Sequence, residues 1–210
     1  MKLYGYFRSS CSYRVRVALG LKGQAYEYVA VSLVRDGGEQ HLPEFLGKNP
    51  MAQVPILEVD GEHLSQSVPI LEYLEERFPA PALLPSAPLA RAHVRRAVEI
   101  VNSGVQPMQN LATMDIIKRL GGDAHAIAKA ANERGLTALE QIAARHGGSR
   151  LVGDQTTLAD VCLVPQMFSA RRFGVDLRPF PRLVAIDADL STIPAIAAAH
   201  PDRQPDAPAA

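Results

Sequence analysis

The order of apolar and polar positions changes several times near the N-terminus, and each change predicts a new element. Residues 2–7 read as a short strand. From Ser12 onward the apolar period lengthens to that of a helix, which Gly23 is placed to end. Residues 26–31 alternate and are rich in aromatic and β-branched side chains, which predicts a second strand.

A hairpin and a second helix are predicted next. Residues 55–59 and 62–64 are separated by Asp60-Gly61, a pair that favours a two-residue type I′ turn. Ser67 is a candidate N-cap for a helix that follows at once. Residues 1–80 therefore read β-α-β-β-α, the order of a thioredoxin-like domain.

The second part of the chain reads as all-helical. Residues 81–88 are rich in proline and alanine, which is typical of a linker. Strand signals then stop, and helical periodicity covers most of residues 89–210. Thr157 and Asp160 have the spacing of a capping box at the start of one of these helices.

Composition and charge exclude several classes of protein. Apolar residues make up 47% of the chain and charged residues 21%, as in ordinary globular proteins. Lys and Arg together number 22, as do Asp and Glu, so no overall field attracts nucleic acid or anionic lipid. No apolar run is long enough to span a membrane, and the N-terminus lacks a secretory signal. Cys11 and Cys162 form no metal spacing, so we expect a cytoplasmic protein without a metal.

Three small polar residues lie between the first strand and the first helix, namely Ser9, Ser10 and Cys11. A helix N-terminus favours an anion there, so a thiolate would be stabilised. Capping is the commoner role for serines at such a position, and Cys11 could be a small buried side chain.

Two more segments fall at the same end of the predicted sheet. Val54-Pro55 precedes a strand, and a cis bond there would leave the Val54 backbone free to pair with an extended peptide. The alternative is an edge-strand proline. Gln66 and Ser67 stand at a helix N-terminus, where they could hold a carboxylate or serve as a cap.

The string from Ser9 to Leu19 resembles the signature of zeta-class glutathione transferases. Further segments resemble that family in the same order along nearly the whole chain, namely Asn49 to Pro55, Gln66-Ser67, Leu158 to Gln166, Arg172 to Leu177 and Gln204 to Asp206. Tyr13 and residues 42–47 depart from the family pattern, which bears on substrate and not on class.

The resemblance implies a glutathione transferase fold, in which a β-α-β-α-β-β-α thioredoxin-like domain precedes a helical bundle, and a homodimer. It also implies glutathione-dependent cis–trans isomerisation of a maleyl keto acid such as maleylacetoacetate, in aromatic catabolism. Maleylpyruvate is an alternative substrate. A glutathione transferase or dehalogenase acting on chlorinated acids or hydroquinones is a second reading, and a non-catalytic thioredoxin-like binding module is a third.

The same resemblance assigns roles to individual residues. Ser10 is expected to face the glutathione sulfur, with Ser9 and Cys11 beside it. Arg8 and Arg172 are expected to hold the carboxylates of a diacid substrate, with Arg171 as the competing candidate for the second position. The expected glutathione ligands are Gln40, Val54, Pro55, Gln66, Ser67, Gln106 and Asn110.

Overall fold

The computed structural model describes residues 1–208 and divides into two compact units. The first unit comprises Met1–Pro81 together with the described residues from Ile193 onward, and the second comprises Ala82–Thr192. The sequence pattern assigns everything after residue 88 to the helical domain, so the position of the C-terminal segment differs from that expectation. The reason is close packing, since a Cβ added at Gly20 would lie 3.1 Å from the carbonyl oxygen of Ala195.

The first unit is built on a four-stranded sheet in the order β2-β1-β3-β4. Strand β1 pairs in parallel with β2, and the β1–β3 and β3–β4 pairs are antiparallel. Asp60 and Gly61 have φ angles of 51° and 82°, the left-handed pair that a type I′ turn requires, as predicted. The strands are β1 Lys2–Gly5, β2 Glu27–Ala30, β3 Ile56–Val59 and β4 Glu62–Ser65.

The helices of this unit complete the thioredoxin-like order and confirm it. Helix α1 begins at Ser10, two residues before the sequence pattern places it. Ser67 is the first residue of α3 and not its N-cap, which is Gln66, so the predicted cap is wrong by one residue. Its helices are α1 Ser10–Leu21, α2 Pro43–Leu46, α3 Ser67–Arg77 and, from the C-terminal segment, α10 Pro194–Ala198.

A buried ion pair ties α1 to α3. The Lys22 Nζ lies 2.5 Å from a carboxylate oxygen of Glu75, and it also donates to the carbonyl of Pro81 at 2.7 Å. Around it, apolar side chains of both helices are fully buried. Each such side chain contributes about 1.5–3 kcal/mol. The two helices that carry the candidate site residues are therefore held at a fixed distance.

The second unit contains helices only, apart from one isolated β-bridge between Gly147 and Gly153. The predicted capping box of Thr157 and Asp160 is present at the start of α8. None of the helices in residues 1–208 is long and apolar enough to cross a membrane. The helices are α4 Pro88–Glu99, α5 Gln106–Gln109, α6 Leu111–Arg119, α7 Ala124–His146, α8 Leu158–Arg172 and α9 Pro181–Leu190.

The helical periodicity predicted for the second part of the chain is broken between α4 and α6. Residues 100–105 form a wide π turn between α4 and α5, and Asn110 interrupts the chain again before α6. Gly135 on α7 admits this turn, because a Cβ there would overlap a Val105 methyl group. Wide turns of this kind are often found at functional sites.

Candidate active site

The turn between β1 and α1 divides its small polar residues between two roles. The Ser9 Oγ accepts a hydrogen bond from the Ser12 backbone N–H at 3.2 Å and caps α1, so the capping interpretation holds for this serine. The Ser10 hydroxyl makes no hydrogen bond to any residue among 1–208. Cys11 follows with a free, partly exposed thiol. Because the first turn of α1 carries no acidic residue, the helix dipole here favours an anion.

Arg8 lies one residue before the cap and is partly exposed. Its guanidinium carbon is 5.9 Å from the ring centre of Tyr6 and 6.0 Å from that of Phe7. These rings support the side chain while its planar donors remain available for a carboxylate.

A buried arginine connects the starts of the two helices. Arg14, whose side chain is fully buried, donates from Nη1 to the Ser67 Oγ at 3.0 Å. The Ser67 hydroxyl accepts this bond and keeps its own proton to donate. Sequence reasoning missed Arg14. Its signal was the pair of arginines, Arg14 and Arg16, in an otherwise apolar stretch of α1.

Gln66 occupies an unusual backbone conformation directly before α3. Its φ of 70° and ψ of 121° lie outside the regions that non-glycine residues prefer. Strained positions of this kind cluster at ligand sites. The side chain is exposed and donates to the Gln53 Oε1 at 3.3 Å.

The segment before β3 is held beside Gln66. The Asn49 side chain donates to the Gln53 carbonyl at 2.8 Å and accepts from the Met51 N–H at 3.1 Å. The Val54-Pro55 bond is cis. Since β3 pairs on both sides and begins at Ile56, Pro55 precedes a central strand and the edge-strand interpretation is wrong.

Gln40 is buried in the loop between β2 and α2. Its Oε1 has no hydrogen-bond partner among the described residues, which is costly for a buried amide. Glu39 braces the loop by accepting from the Ser32 N–H at 2.6 Å and from Arg35. Gly38 leaves room for the amide, because a Cβ there would lie 2.7 Å from the Gln40 Cδ. A bound peptide group would satisfy the unused oxygen.

Two candidate glutathione ligands belong to the second unit. Gln106 is the first residue of α5, directly after the π turn, and is partly buried. Asn110 caps α6 by accepting from the Ala112 N–H at 3.0 Å, so part of its side chain has a structural role. A buried cluster of amides fixes α5 to its neighbours, in which Asn132 donates to Gln109 at 3.0 Å and Gln166 donates to Asn132 at 2.5 Å.

The two arginines at the end of α8 differ in their partners. Arg171 pairs with the buried carboxylate of Asp187 at 2.6 Å. The Arg172 guanidinium carbon lies 5.0 Å from the Phe173 ring centre, and the residue is exposed. Both arginines are exposed, and the pair with Asp187 gives Arg171 a structural role between α8 and α9.

The predicted residues thus fall into two groups. The first unit carries Arg8, Ser9, Ser10, Cys11, Gln40, Val54, Pro55, Gln66 and Ser67, and the second carries Gln106, Asn110 and Arg172. Within residues 1–208, no group of three or more His, Cys, Asp or Glu side chains is arranged to hold a metal ion.

Known proteins resemble this chain over its full length. Family models described as glutathione S-transferase N-terminal domain and glutathione S-transferase C-terminal domain match residues 3–82 and 122–199. A maleylacetoacetate isomerase from Rattus norvegicus is 49% identical over 208 residues, covering 99% of this chain and 95% of its own.

Solved structures of isomerases also superpose on nearly the whole chain. A bacterial zeta-class maleyl pyruvate isomerase in its holo form superposes with a TM-score of 0.95 at 40% identity, covering 99% of this chain and 100% of its own. A maleylacetoacetate isomerase from Methylobacterium extorquens AM1, solved with bound malonate and GSH, has a TM-score of 0.93 at 37% identity and full coverage of both chains (100% and 100%).

Proposed function

Because the chain belongs to the zeta class of the glutathione transferase family, we propose that it is a glutathione-dependent isomerase that converts maleylacetoacetate into its trans isomer. The observation that carries this proposal is the Ser10 hydroxyl, which has no partner among the described residues and lies at an N-terminus of α1 free of acidic residues. Such a site favours a thiolate over a thiol.

The donor set of the first unit fits glutathione. The Ser67 hydroxyl, which accepts a hydrogen bond from Arg14, suits the γ-glutamyl carboxylate together with the start of α3. Gln66 contacts the same end, the backbone of Val54 before Pro55 pairs with the cysteinyl residue, and the unused Oε1 of Gln40 accepts from the glycyl end. From the second unit, Gln106 and Asn110 are the proposed further ligands.

When bound, glutathione supplies a nucleophilic sulfur that adds reversibly to the conjugated double bond and is regenerated. Ser10 donates a hydrogen bond to that sulfur and lowers its pKa together with the helix start. Arg8 and Arg172 bind the carboxylates of the diacid, because planar guanidinium groups suit carboxylates better than lysine does. Ser9 holds the turn as the cap, and Cys11 assists without being essential.

Maleylpyruvate is the second candidate substrate, favoured by the TM-score of 0.95 to a maleyl pyruvate isomerase. Both substrates present a maleyl double bond conjugated with a ketone and flanked by carboxylates. The same residues therefore serve either of them.

One assay separates these activities. Purified protein is incubated with maleylacetoacetate and with maleylpyruvate, each with and without glutathione, while the enol absorbance is followed. We expect loss of the cis substrate only when glutathione is present. Turnover at full rate without glutathione would contradict the proposal, as would no turnover of either substrate with it.

Cys11→Ala tests where the nucleophile resides. We expect the variant to retain most isomerase activity, because the sulfur that attacks belongs to glutathione. Total loss would place the nucleophile on the protein and favour a dehalogenase-like use of Cys11.

We also propose that the protein is a cytoplasmic homodimer, as the family relationship suggests. Sedimentation at micromolar concentration should give twice the mass of one chain. A single-chain mass would contradict the dimer.

A further inference from the structure

The C-terminal segment ends against the turn that carries Arg8. Asp206 Oδ2 accepts a hydrogen bond from the Phe7 backbone N–H at 2.8 Å and from the Tyr28 hydroxyl at 3.4 Å. Burial raises the pKa of Tyr28, so its hydroxyl stays protonated and remains a donor. Residues at opposite ends of the chain thus meet at one peptide group.

Arg16 holds the other side of the same peptide. Its side chain is buried, and its Nη2 donates to the Phe7 carbonyl at 2.9 Å, while Nη1 approaches the Tyr6 carbonyl at 3.5 Å. Its Nε donates to the carbonyl of Ala199 at 3.0 Å. The Phe7 N–H and C=O are therefore both fixed by charged side chains, and the C-terminal segment takes part in each contact.

The path of the C-terminal segment is itself fixed. The Gln204 side chain donates to the carbonyls of Ala198 and His200 at 3.0 Å and 2.9 Å. A short turn over Pro201–Arg203 precedes it. These contacts bring Asp206 to the β1–α1 turn, so Gln204 fixes the path of the segment and Asp206 makes its contact with the turn.

The charge of Asp206 matters beyond its hydrogen bonds. Burial lowers the pKa of Arg16, and the charge of Asp206 is one of the influences that raise this pKa again. The second carboxylate oxygen of Asp206, Oδ1, is buried and has no hydrogen-bond partner among the described residues. A buried oxygen in that state is costly for stability alone.

We propose that Asp206, with Arg16, is a positioning residue for the reaction, acting through the Phe7 peptide on Arg8 and on the start of α1. This inference rests on the proposed function. It makes a specific prediction, because the residues proposed to bind glutathione lie on other segments, apart from Ser10 at its sulfur. Loss of Asp206 should therefore impair use of the diacid while leaving the affinity for glutathione nearly unchanged.

The test compares Asp206→Asn with Asp202→Asn in the full chain. Asp202 is an exposed carboxylate of the same segment that pairs only weakly with His200, at 3.6 Å, so it serves as the matched control. For Asp206→Asn we expect kcat/KM for the diacid to fall about tenfold and KM for glutathione to change less than about twofold. The dissociation constant of malonate, a small dicarboxylate probe, should rise about fivefold or more in direct binding measurements. Asp202→Asn should behave as the wild type.

Hydrogen exchange gives a readout independent of activity. The amide of Phe7 should lose protection in Asp206→Asn and keep it in Asp202→Asn. If Asp206→Asn does not yield folded protein, Tyr28→Phe removes only the longer hydrogen bond to the same carboxylate. For that variant we expect a fall of about two- to threefold in kcat/KM for the diacid with an unchanged KM for glutathione.

The outcomes separate this inference from the proposed function. An inactive wild type would refute the isomerase, whereas malonate affinity and exchange at Phe7 would still test the role of Asp206. Wild-type kinetics and malonate affinity in folded Asp206→Asn would overturn the inference. The inference would also be overturned if Asp206→Asn lowered the melting temperature and weakened use of glutathione and of the diacid to the same extent. That result would indicate a purely structural role.

Discussion

Ser10→Ala removes the one hydroxyl at the start of α1 that has no partner among the described residues. The backbone of the helix start is retained, so its contribution of roughly 0.3–1 kcal/mol to an adjacent anion remains. What is lost is a hydrogen bond to a charged sulfur, worth about 1.5–3 kcal/mol. At 1.36 kcal/mol per unit, this loss should raise the pKa of bound glutathione by about one to two units.

The sign of the pH dependence follows from this shift. Below the wild-type pKa most of the thiol is protonated in both proteins, so kcat/KM of the variant should be about 10- to 100-fold lower. As the pH rises through the pKa of the variant, its thiolate recovers and the two rates converge. The variant profile should therefore have its midpoint at higher pH and a plateau close to that of the wild type.

The assay is the pH profile of kcat/KM together with the thiolate absorbance of bound glutathione. Ser9→Ala is the matched control, because it removes the N-cap and should cost about 1 kcal/mol of stability without moving the midpoint. An unshifted midpoint in Ser10→Ala would refute the role of its hydroxyl. A shift found in Cys11→Ala instead would assign the role to the neighbouring thiol.

Three further changes test other parts of the structure. Arg172→Ala should lower kcat/KM for the diacid by more than about threefold. Arg171→Ala, the control, should mainly lower the melting temperature, because buried Asp187 loses a partner. Equal kinetics in both variants would argue against a carboxylate-binding role for Arg172. Arg14→Met should raise KM for glutathione about three- to tenfold, since Ser67 loses the donor that orients it. The variant and the wild type should bind a glutathione analogue lacking the γ-glutamyl carboxylate equally well, and unequal binding would argue against this role. Gly135→Ala should reduce the free energy of unfolding in urea by about 1–3 kcal/mol, because its Cβ would overlap Val105. Adding Val105→Ala to this variant should restore part of the lost stability. An unchanged free energy of unfolding in Gly135→Ala alone would contradict the packing argument.

The strands and the longer helices could be predicted because local patterns determine them. The Asp60-Gly61 turn and the capping box of Thr157 and Asp160 are set by residues close in sequence, and both are present. Helix α2 was not visible, because it spans only Pro43–Leu46 and carries no periodic signal. The break over residues 100–105 was also missed, since it depends on Val105 packing against Gly135 on another helix.

The candidate site shows the same division between local and distant causes. The serines and the segment around Val54-Pro55 were found because position in a βα unit and proline chemistry are readable locally. Arg14, Arg16 and Asp206 were not assigned roles, because each depends on a distant partner. The contacts of Arg14 with Ser67, of Arg16 with Ala199 and of Asp206 with Phe7 span 53, 183 and 199 residues. The strained backbone of Gln66 also left no mark in the sequence, since the residue type does not favour it.

The return of the C-terminal segment to the sheet-containing unit has a consequence for biosynthesis. That unit is discontinuous in the chain, so a ribosome that has made the sheet and its first helices has not yet made the residues that cover Gly20 and hold the Phe7 peptide. Folding that proceeds from the N-terminus during translation must therefore wait until the segment from Ile193 onward has been made before this unit is closed. A fragment ending at Pro81 would lack α10 and the segment after it, which belong to the same unit. A single cut in the chain therefore cannot separate the two units as complete modules.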